Sequence, residues 1–323
     1  MGLVNPKISV LMSAHNAENH IEEAVRSILD QSFKDFEFII INDGSNDSTL
    51  EKLRTFAEHD NRIRLIDQSN IGLTKSLVKM VELARGKYLA RMDADDVSHK
   101  ERFALQIQYL EDNLSVGMIG SWVHIIDEAG TITSKKKLVS SDKKIQRKLI
   151  YGNQFVHGSV ILRKDIFFLA GGYDETFKYS QDYDLWLRVS KVSKCVNYPS
   201  YLYLLRVHGD SLSCKNSDSQ LDFAVSSIMK NVCHQRIRYG FKFFGMKCEC
   251  PTCTSTTVHL NAERIKIIVS ARLLLRRGEY TKAAYFYSKI KSIEGCSMSL
   301  ILRSTSLTHF SKKIYVYLTR VLF

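Results

Sequence analysis

Tyr88-Leu89-Ala90-Arg91-Met92-Asp93-Ala94-Asp95-Asp96 is the stretch on which the fold turns. An apolar run ends abruptly in three carboxylates within four residues. A run of that kind reads as a buried strand, with the acids emerging where the strand stops. In an open α/β sheet, the crevice beyond the carboxyl ends of the strands is where ligands bind. Hard oxygen donors there suit Mg²⁺ or Mn²⁺, which hold one or two carboxylates together with substrate phosphates. An acidic turn capping a helix that starts near Lys100 would carry the same residues, so the neighbouring sequence has to separate the two.

Upstream, Ile8 to Ala14 reads as a buried strand. A helical pattern follows from Glu18 to Gln31, with Ile21, Ala24, Val25, Ile28 and Leu29 on one face. Phe36 to Ile41 is the next strand, Ser48 to Glu58 a helix, Ile63 to Ile66 a strand and Leu73 to Ala84 a helix. Strand and helix alternate up to the acidic cluster, which predicts a mostly parallel, doubly wound central sheet. The strand ends carry polar residues: Asn16 and Glu18, then Asp43, then Asn70 and Gly72, then Asp93 to Asp96. Turn chemistry alone explains Asn42-Asp43-Gly44, but not the convergence of all four groups on one sheet edge. Neither common glycine-rich phosphate loop is present. A nucleotide held here would rely on a metal, with Lys75 and Arg91 as supplementary charges.

Four ordered motifs now resemble the family 2 glycosyltransferases of bacterial cell-surface polysaccharide type. They are Ile8 to Asn16, Asn42-Asp43-Gly44-Ser45-Asn46-Asp47-Ser48-Thr49, Asn70-Ile71-Gly72-Leu73 and Ala90 to Asp96, and the resemblance spans residues 8–210. It implies a GT-A fold, a nucleotide-diphosphate sugar donor and inversion at the anomeric carbon. Ala14 to Glu18 (Ala14, Asn16, Glu18) and Asp43 would hold the nucleoside. Asp93-Ala94-Asp95 would be the Asp-x-Asp element, with Asp95 at the metal and Asp93 nearer the ribose. The proline-containing opening usual in the family is replaced by Ser13-Ala14-His15-Asn16.

Downstream, Gly171-Gly172-Tyr173-Asp174 leads into Ser180-Gln181-Asp182-Tyr183-Asp184-Leu185-Trp186, which reads as a helix start with acids in its first turn. Such acids complement the helix dipole and cap the turn in any protein. A sugar hydroxyl, however, is a poor nucleophile whose transfer benefits from a positioned carboxylate base. The segment resembles the family's acceptor-site Glu/Gln-Asp motif, which makes Asp182 the expected base and Asp184 a structural residue. Trp186 lies four residues on, so an aromatic platform beside the base is expected. Tyr201 to His208 reads as a strand ending in a histidine, and His208 resembles the family's late histidine at the metal or diphosphate. His157 is expected to pack near the acceptor pocket.

Composition bounds the rest. The 323 residues are 45% hydrophobic and 10% aromatic, enough for a real core. The net charge is +12, unevenly placed. Residues 1–215 hold 29 basic and 28 acidic residues, whereas 216–323 hold 17 and 6. We therefore expect a balanced glycosyltransferase domain over 1–215 and a basic, mainly helical C-terminal region over 216–323 that meets a polyanion. No apolar stretch is long enough to span a bilayer, and Met1 to Lys7 lacks an apolar signal region. The expectation is a cytoplasmic protein, with the aromatic-basic ending Phe310 to Phe323 either packed on the enzyme domain or peripheral on the inner membrane face. Leu221 to Val232 reads as a helix. Cys248, Cys250 and Cys253 could form a structural zinc site or stay as free thiols, and no second Cys-x-x-Cys pair accompanies them. The partners expected are a nucleotide sugar and a saccharide or lipid-linked acceptor. A non-catalytic nucleotide-sugar binder would need no base at Asp182, and no nucleic-acid motif accompanies the basic charge.

Overall fold

The structure is a computed structural model, and it describes residues 5–149, 152–208, 217–232 and residue 270. Three strand-helix units open the chain: β1 (Ile8–Ala14), α1 (Ile21–Leu29), β2 (Phe36–Asp43), α2 (Thr49–His59), β3 (Ile63–Gln68) and α3 (Leu73–Leu83). β4 (Tyr88–Arg91) ends this parallel half, with β1 pairing both β2 and β4, and β2 pairing β3. β1, β2 and β4 are buried along nearly their whole length, as strands covered on both faces must be. Ile8, Val10, Met12, Phe38 and Ile40 are fully buried and meet Ile21, Val25 and Ile28 of α1.

The second half is mixed. β5 (Val97–Ser98), α4 (Arg102–Asp112), β6 (Val116–Ile126), β7 (Ile132–Lys136) and α5 (Asp142–Leu149) are followed by a single 3₁₀ turn at His157–Ser159. Then come β8 (Ile161–Arg163), α6 (Lys164–Leu169), α7 (Gln181–Val192) and β9 (Lys194–Arg206), and α8 (Ser217–Val232) closes the described elements. The sheet order is β3-β2-β1-β4-β8-β6-β9-β5, with β7 on β6. β8 runs antiparallel to both β4 and β6, while β9 returns parallel to β6. This is the mixed, curled sheet of a GT-A fold. Compact packing divides the chain into Met1–Gln220 and Leu221–Phe323. The cysteine cluster at 248–253 and the ending at 310–323 lie outside the described residues.

At the end of the sheet where β1 begins, Glu37 is 3% exposed and saturated. Its Oε1 accepts from Ser9 Oγ and the Arg85 N–H, both at 2.7 Å, and its Oε2 from Arg64 and Arg85 side chains at 3.0 Å. Burial alone would raise this carboxyl, but these donors outweigh it and hold it below the usual range. The opposite end, where β1, β2 and β4 stop, carries the polar residues singled out in the sequence.

Candidate active site

β1, β2 and β3 release their chains at one edge, because Ala14 lies beside Asn42 and Asp43 beside Gln68. Asp43 is 2% exposed and holds the rim together. One oxygen accepts from Gln68 Nε2 and the Ile71 N–H, and the other from the Gly72 N–H, each at 2.9 Å. Gly72 has φ +89° and a side chain is strained there, so its backbone is free to turn into α3. His15 Nδ1 lies 2.9 Å from the Asp43 carbonyl, and Asn70 Nδ2 lies 3.2 Å from that same ring nitrogen. Asn16, at φ +50°, accepts the Asn46 N–H on Oδ1 at 2.8 Å. Glu18 accepts Ser48 N–H and Oγ on one oxygen, at 3.1 and 2.7 Å, and so braces the start of α2. Ala14 is fully buried, which leaves only its backbone for a ligand. Lys75 is exposed near the start of α3.

The acidic cluster leaves β4 beside this rim. Arg91 is 4% exposed and donates to Asp93 Oδ1 at 2.6 Å. That ion pair orients Asp93 beside the rim. Asp93 takes a second anchor from its own N–H, which donates to Tyr203 Oη at 3.3 Å. Asp96 is 1% exposed; its Oδ1 accepts the Arg206 N–H at 2.7 Å. Burial, then the carboxylates of Asp93 and Asp95, push Asp96 well above the ordinary range. Beneath them Arg102 is fully buried and donates to the Gly158 carbonyl at 2.6 Å and to Ser98 Oγ at 2.8 Å. Burial lowers it to about 10, opposed by Tyr203, Asp93 and Asp96.

Asp95 differs from its neighbours. Its Oδ2 lies 3.0 Å from Nε2 of His208, just beyond β9. One carboxylate and one imidazole at that spacing fit Mg²⁺ or Mn²⁺ if diphosphate and water oxygens complete the shell. Among the described residues no group of three or more His, Cys, Asp or Glu encloses an ion, so a metal here would be shared with a ligand. His20 packs its ring 5.5 Å from that of His208.

Across the site, α7 opens after Ser180, which takes φ +56°. That turn presents Asp182, whose Oδ2 accepts Asn153 Nδ2 at 2.7 Å. Asn153 is fixed in turn, its Oδ1 accepting the Phe155 N–H at 3.0 Å. Burial raises the Asp182 carboxyl; the Tyr183 N–H and Asn153 oppose it, and Asp93 reinforces it. The half-buried Tyr173 hydroxyl lies within electrostatic reach of Arg91, Asp182 and Asp93, and burial, reinforced by the two carboxylates, pushes it up. His157 Nε2 lies 2.9 Å from that hydroxyl, and burial followed by Arg91 depresses the imidazole well below its usual range. Asp184 is fully buried and its Oδ2 takes Arg188 Nε and Nη2 at 2.9 and 2.7 Å, which matches the structural part read for it.

Trp186 is the clear departure. Its side chain is 1% exposed, with Phe155 and His157 rings at 6.0 and 5.9 Å. It offers no open face to a sugar, because the helix face at Trp186 is turned into the core. Asn153, Tyr173 and Arg206 were missed by sequence reasoning. Tyr173 sits in a glycine-rich turn that was quoted without being singled out, and a lone asparagine after Gly152 carries no signal at all.

Fold and site together define a nucleotide-sugar-dependent glycosyltransferase. The family profile described as glycosyl transferase family 2 matches residues 9–168. A glycosyltransferase of Haemophilus influenzae is 32% identical over 247 residues, covering 73% of this chain and 76% of that one. The O-antigen biosynthesis glycosyltransferase WbnJ of Escherichia coli is 34% identical over 191 residues, covering 59% of this chain and 73% of its own. The chain belongs to glycosyl transferase family 2. Residues 1–349 of S. aureus TarS, solved with UDP-GlcNAc, superpose with a TM-score of 0.62 at 16% identity, covering 92% of this chain and 79% of that one. The mannosyltransferase PcManGT of Pyrobaculum calidifontis, solved with GDP-Man and Mn²⁺, gives 0.55 at 16% identity, covering 98% and 84%. Both show the GT-A fold.

Proposed function

We propose that the chain is a metal-dependent, inverting glycosyltransferase that moves a sugar from a nucleoside-diphosphate donor to an acceptor hydroxyl in surface polysaccharide or glycolipid assembly. The observation that carries this reading is the carboxylate cluster at the end of β4, where Arg91 orients Asp93 and Asp95 meets His208, with Asp182, held by Asn153, within electrostatic reach of Asp93. Asp182 takes the proton of the attacking hydroxyl as general base. Its partner Asn153 fixes the orientation of the carboxylate. Asp93, oriented by Arg91, faces the donor ribose, and the rim at Asn16, Asp43, Asn70 and Gly72 receives the nucleoside. Asp95 and His208 would hold a divalent cation, which would offset the charge on the departing diphosphate. His157 and Tyr173 line the acceptor side.

WbnJ of E. coli and AmsE of Erwinia amylovora, named for O-antigen and amylovoran biosynthesis, support the placement in polysaccharide assembly. The excess of positive charge over residues 216–323 supports a peripheral contact with an anionic membrane surface, and with it a lipid-linked acceptor met on the cytoplasmic side. No described helix is long and apolar enough to cross a membrane.

Asp182→Asn tests the assignment, because it keeps size and removes basicity. Transfer is expected to fall by roughly two to four orders of magnitude, the usual worth of a positioned base. Donor binding measured by calorimetry is expected to stay within a few-fold. Transfer that survives, or donor binding that collapses in parallel, would remove Asp182 from the mechanism.

A further inference from the structure

A second cluster lies away from this pocket, on the hairpin of β6 and β7 and the neighbouring β9. Trp122 and Tyr201 are cross-strand partners with ring centroids 5.4 Å apart, and His124 meets Tyr201 edge to face at 4.6 Å. Lys137 Nζ stands 5.1 Å from the Trp122 ring and Lys135 Nζ 5.8 Å from the Tyr201 ring. Trp122 Nε1 donates to the Leu138 carbonyl at 2.9 Å, which ties the indole to the hairpin. The three rings are half-buried and therefore fixed, while both lysines are exposed. Val123 between Trp122 and His124 is in the core with Tyr203, so strand alternation puts Trp122 and His124 on the opposite face of the sheet, and the register shift of β9 at Trp122–Val123 brings Tyr201 to them.

The charge along these strands is one-sided, the nearest acids in the chain being Asp127 and Glu128 at the hairpin tip and Asp142 beyond it. Strands β6, β7 and β9 contain no Asp or Glu, and neither does the stretch 129–141, which includes Lys135, Lys136 and Lys137. Residues 1–215 carry almost equal numbers of acids and bases, so this face is positive by segregation and not by general excess. His124 registers the same field: burial lowers its imidazole first, and Lys135 and His99 lower it further.

We propose that this face binds an acidic saccharide chain, with carboxylates on the Lys135 and Lys137 ammonium groups and pyranose faces against the Trp122–Tyr201 edge. Lysines held over aromatic rings are pre-oriented donors. Lys135 in β7 and Lys137, one residue beyond its end, are two residues apart, about 7 Å along extended chain, a spacing for repeated charges along a flexible chain. A lipid surface is disfavoured because the rings are locked edge to face and cannot insert. The proposal rests on the glycosyltransferase reading only in choosing a saccharide as the polyanion; the face would hold the growing product or an acceptor chain while its end occupies the pocket across the sheet.

The test is affinity electrophoresis of the full chain through gels containing polygalacturonate, with dextran as the neutral control, beside the double variant Lys135→Ala/Lys137→Ala. Polygalacturonate is expected to retard the wild type, more weakly as salt rises, and dextran is not. The double variant is expected to bind about 2- to 30-fold more weakly, the worth of two exposed ion pairs. Its thermal protection by nucleotide sugars and its transfer to a short neutral acceptor are expected to be unchanged. Equal retardation of variant and wild type, or none of either, overturns the proposal. So does cosedimentation with phosphatidylserine vesicles that is lost in the double variant while polygalacturonate binding is not, which would assign the face to a membrane. Should nucleotide sugars fail to protect even the wild type, the functional reading falls while the saccharide result stands by itself.

Discussion

Asn153→Ala isolates the electrostatics of the proposed base. In the wild type the Asn153 amide donates to Asp182 Oδ2 at 2.7 Å and is itself anchored by the Phe155 N–H. That bond favours the ionised carboxylate, against burial and against Asp93, which both favour the neutral acid. Tyr173, Arg91 and His157 complete the titratable surroundings. Removing the donor therefore raises the carboxyl further, and the base must be ionised to act. The sign follows: the acid limb of kcat/KM moves to higher pH, and activity at the alkaline plateau is retained. A hydrogen bond to a charged group is worth about 1.5–3 kcal/mol. Asn153 is exposed, so water replaces part of it and the lower end applies. That corresponds to about a tenfold lower rate on the acid side of the limb. Asn153→Asp places a second carboxylate against the first and is expected to move the limb the same way, and further. The assay is transfer kinetics across about pH 4.5 to 9, the range in which a carboxylate base titrates, beside donor affinity by calorimetry. A limb that stays in place or moves toward acid, in a variant that binds donor normally, would refute the reasoning.

Three further outcomes are expected. Glu37→Gln is expected to lose about 2 kcal/mol in urea unfolding at neutral pH through its hydrogen bonds to charged donors; because the folded carboxyl sits below 4.5, that stabilisation is full above this value and disappears as pH falls through the folded pKa. A gap between variant and wild type that is independent of pH would contradict it. Gly158→Ala drives a methyl onto the Tyr203 hydroxyl and to 2.9 Å from Asp93 Oδ2; a cost of about 1–3 kcal/mol in thermal unfolding and weaker donor binding are expected, and an unchanged variant would show that the contact relaxes freely. Asp95→Ala is expected to abolish transfer, and excess chelator to do so reversibly with Mg²⁺ or Mn²⁺ restoring it; full activity in chelator would exclude the metal.

The parallel half of the fold was legible because β1, β2 and β4 are continuous apolar runs separated by helices of clear period. Their strand ends were legible too, since Asp43, Asn70, Gly72 and the acidic cluster all stand at sharp changes from apolar to polar. The second half hid for physical reasons. β8 has three residues and β5 two, too short for any periodicity to register. β7 is exposed at every position and shows no alternation, and β9 runs through register shifts that break its pattern. Trp186 misled because helix spacing places a residue on a face without telling which face is buried. Asn153 and Asp182 meet only through the tertiary fold, and no local pattern in either segment points to the other.

The saturation of Asp43 bears on how a nucleotide would enter. Its carboxylate fixes Gln68, the Ile71 and Gly72 backbone and, through its carbonyl, His15, so the rim between β2 and α3 keeps its shape without a ligand. Ordering that rim is a cost met during folding, and none of it is left to oppose association. Binding there is accordingly expected to show a small heat-capacity change, set by the surface the ligand itself covers, since no segment folds around it. The on-rate is then governed by encounter and orientation, with no slow closing step at this edge. Substitution of Asp43 would reverse that order of events: the ligand would have to organise the Ile71–Gly72 turn as it arrived, and slower association, more than faster release, would be the mark of its loss.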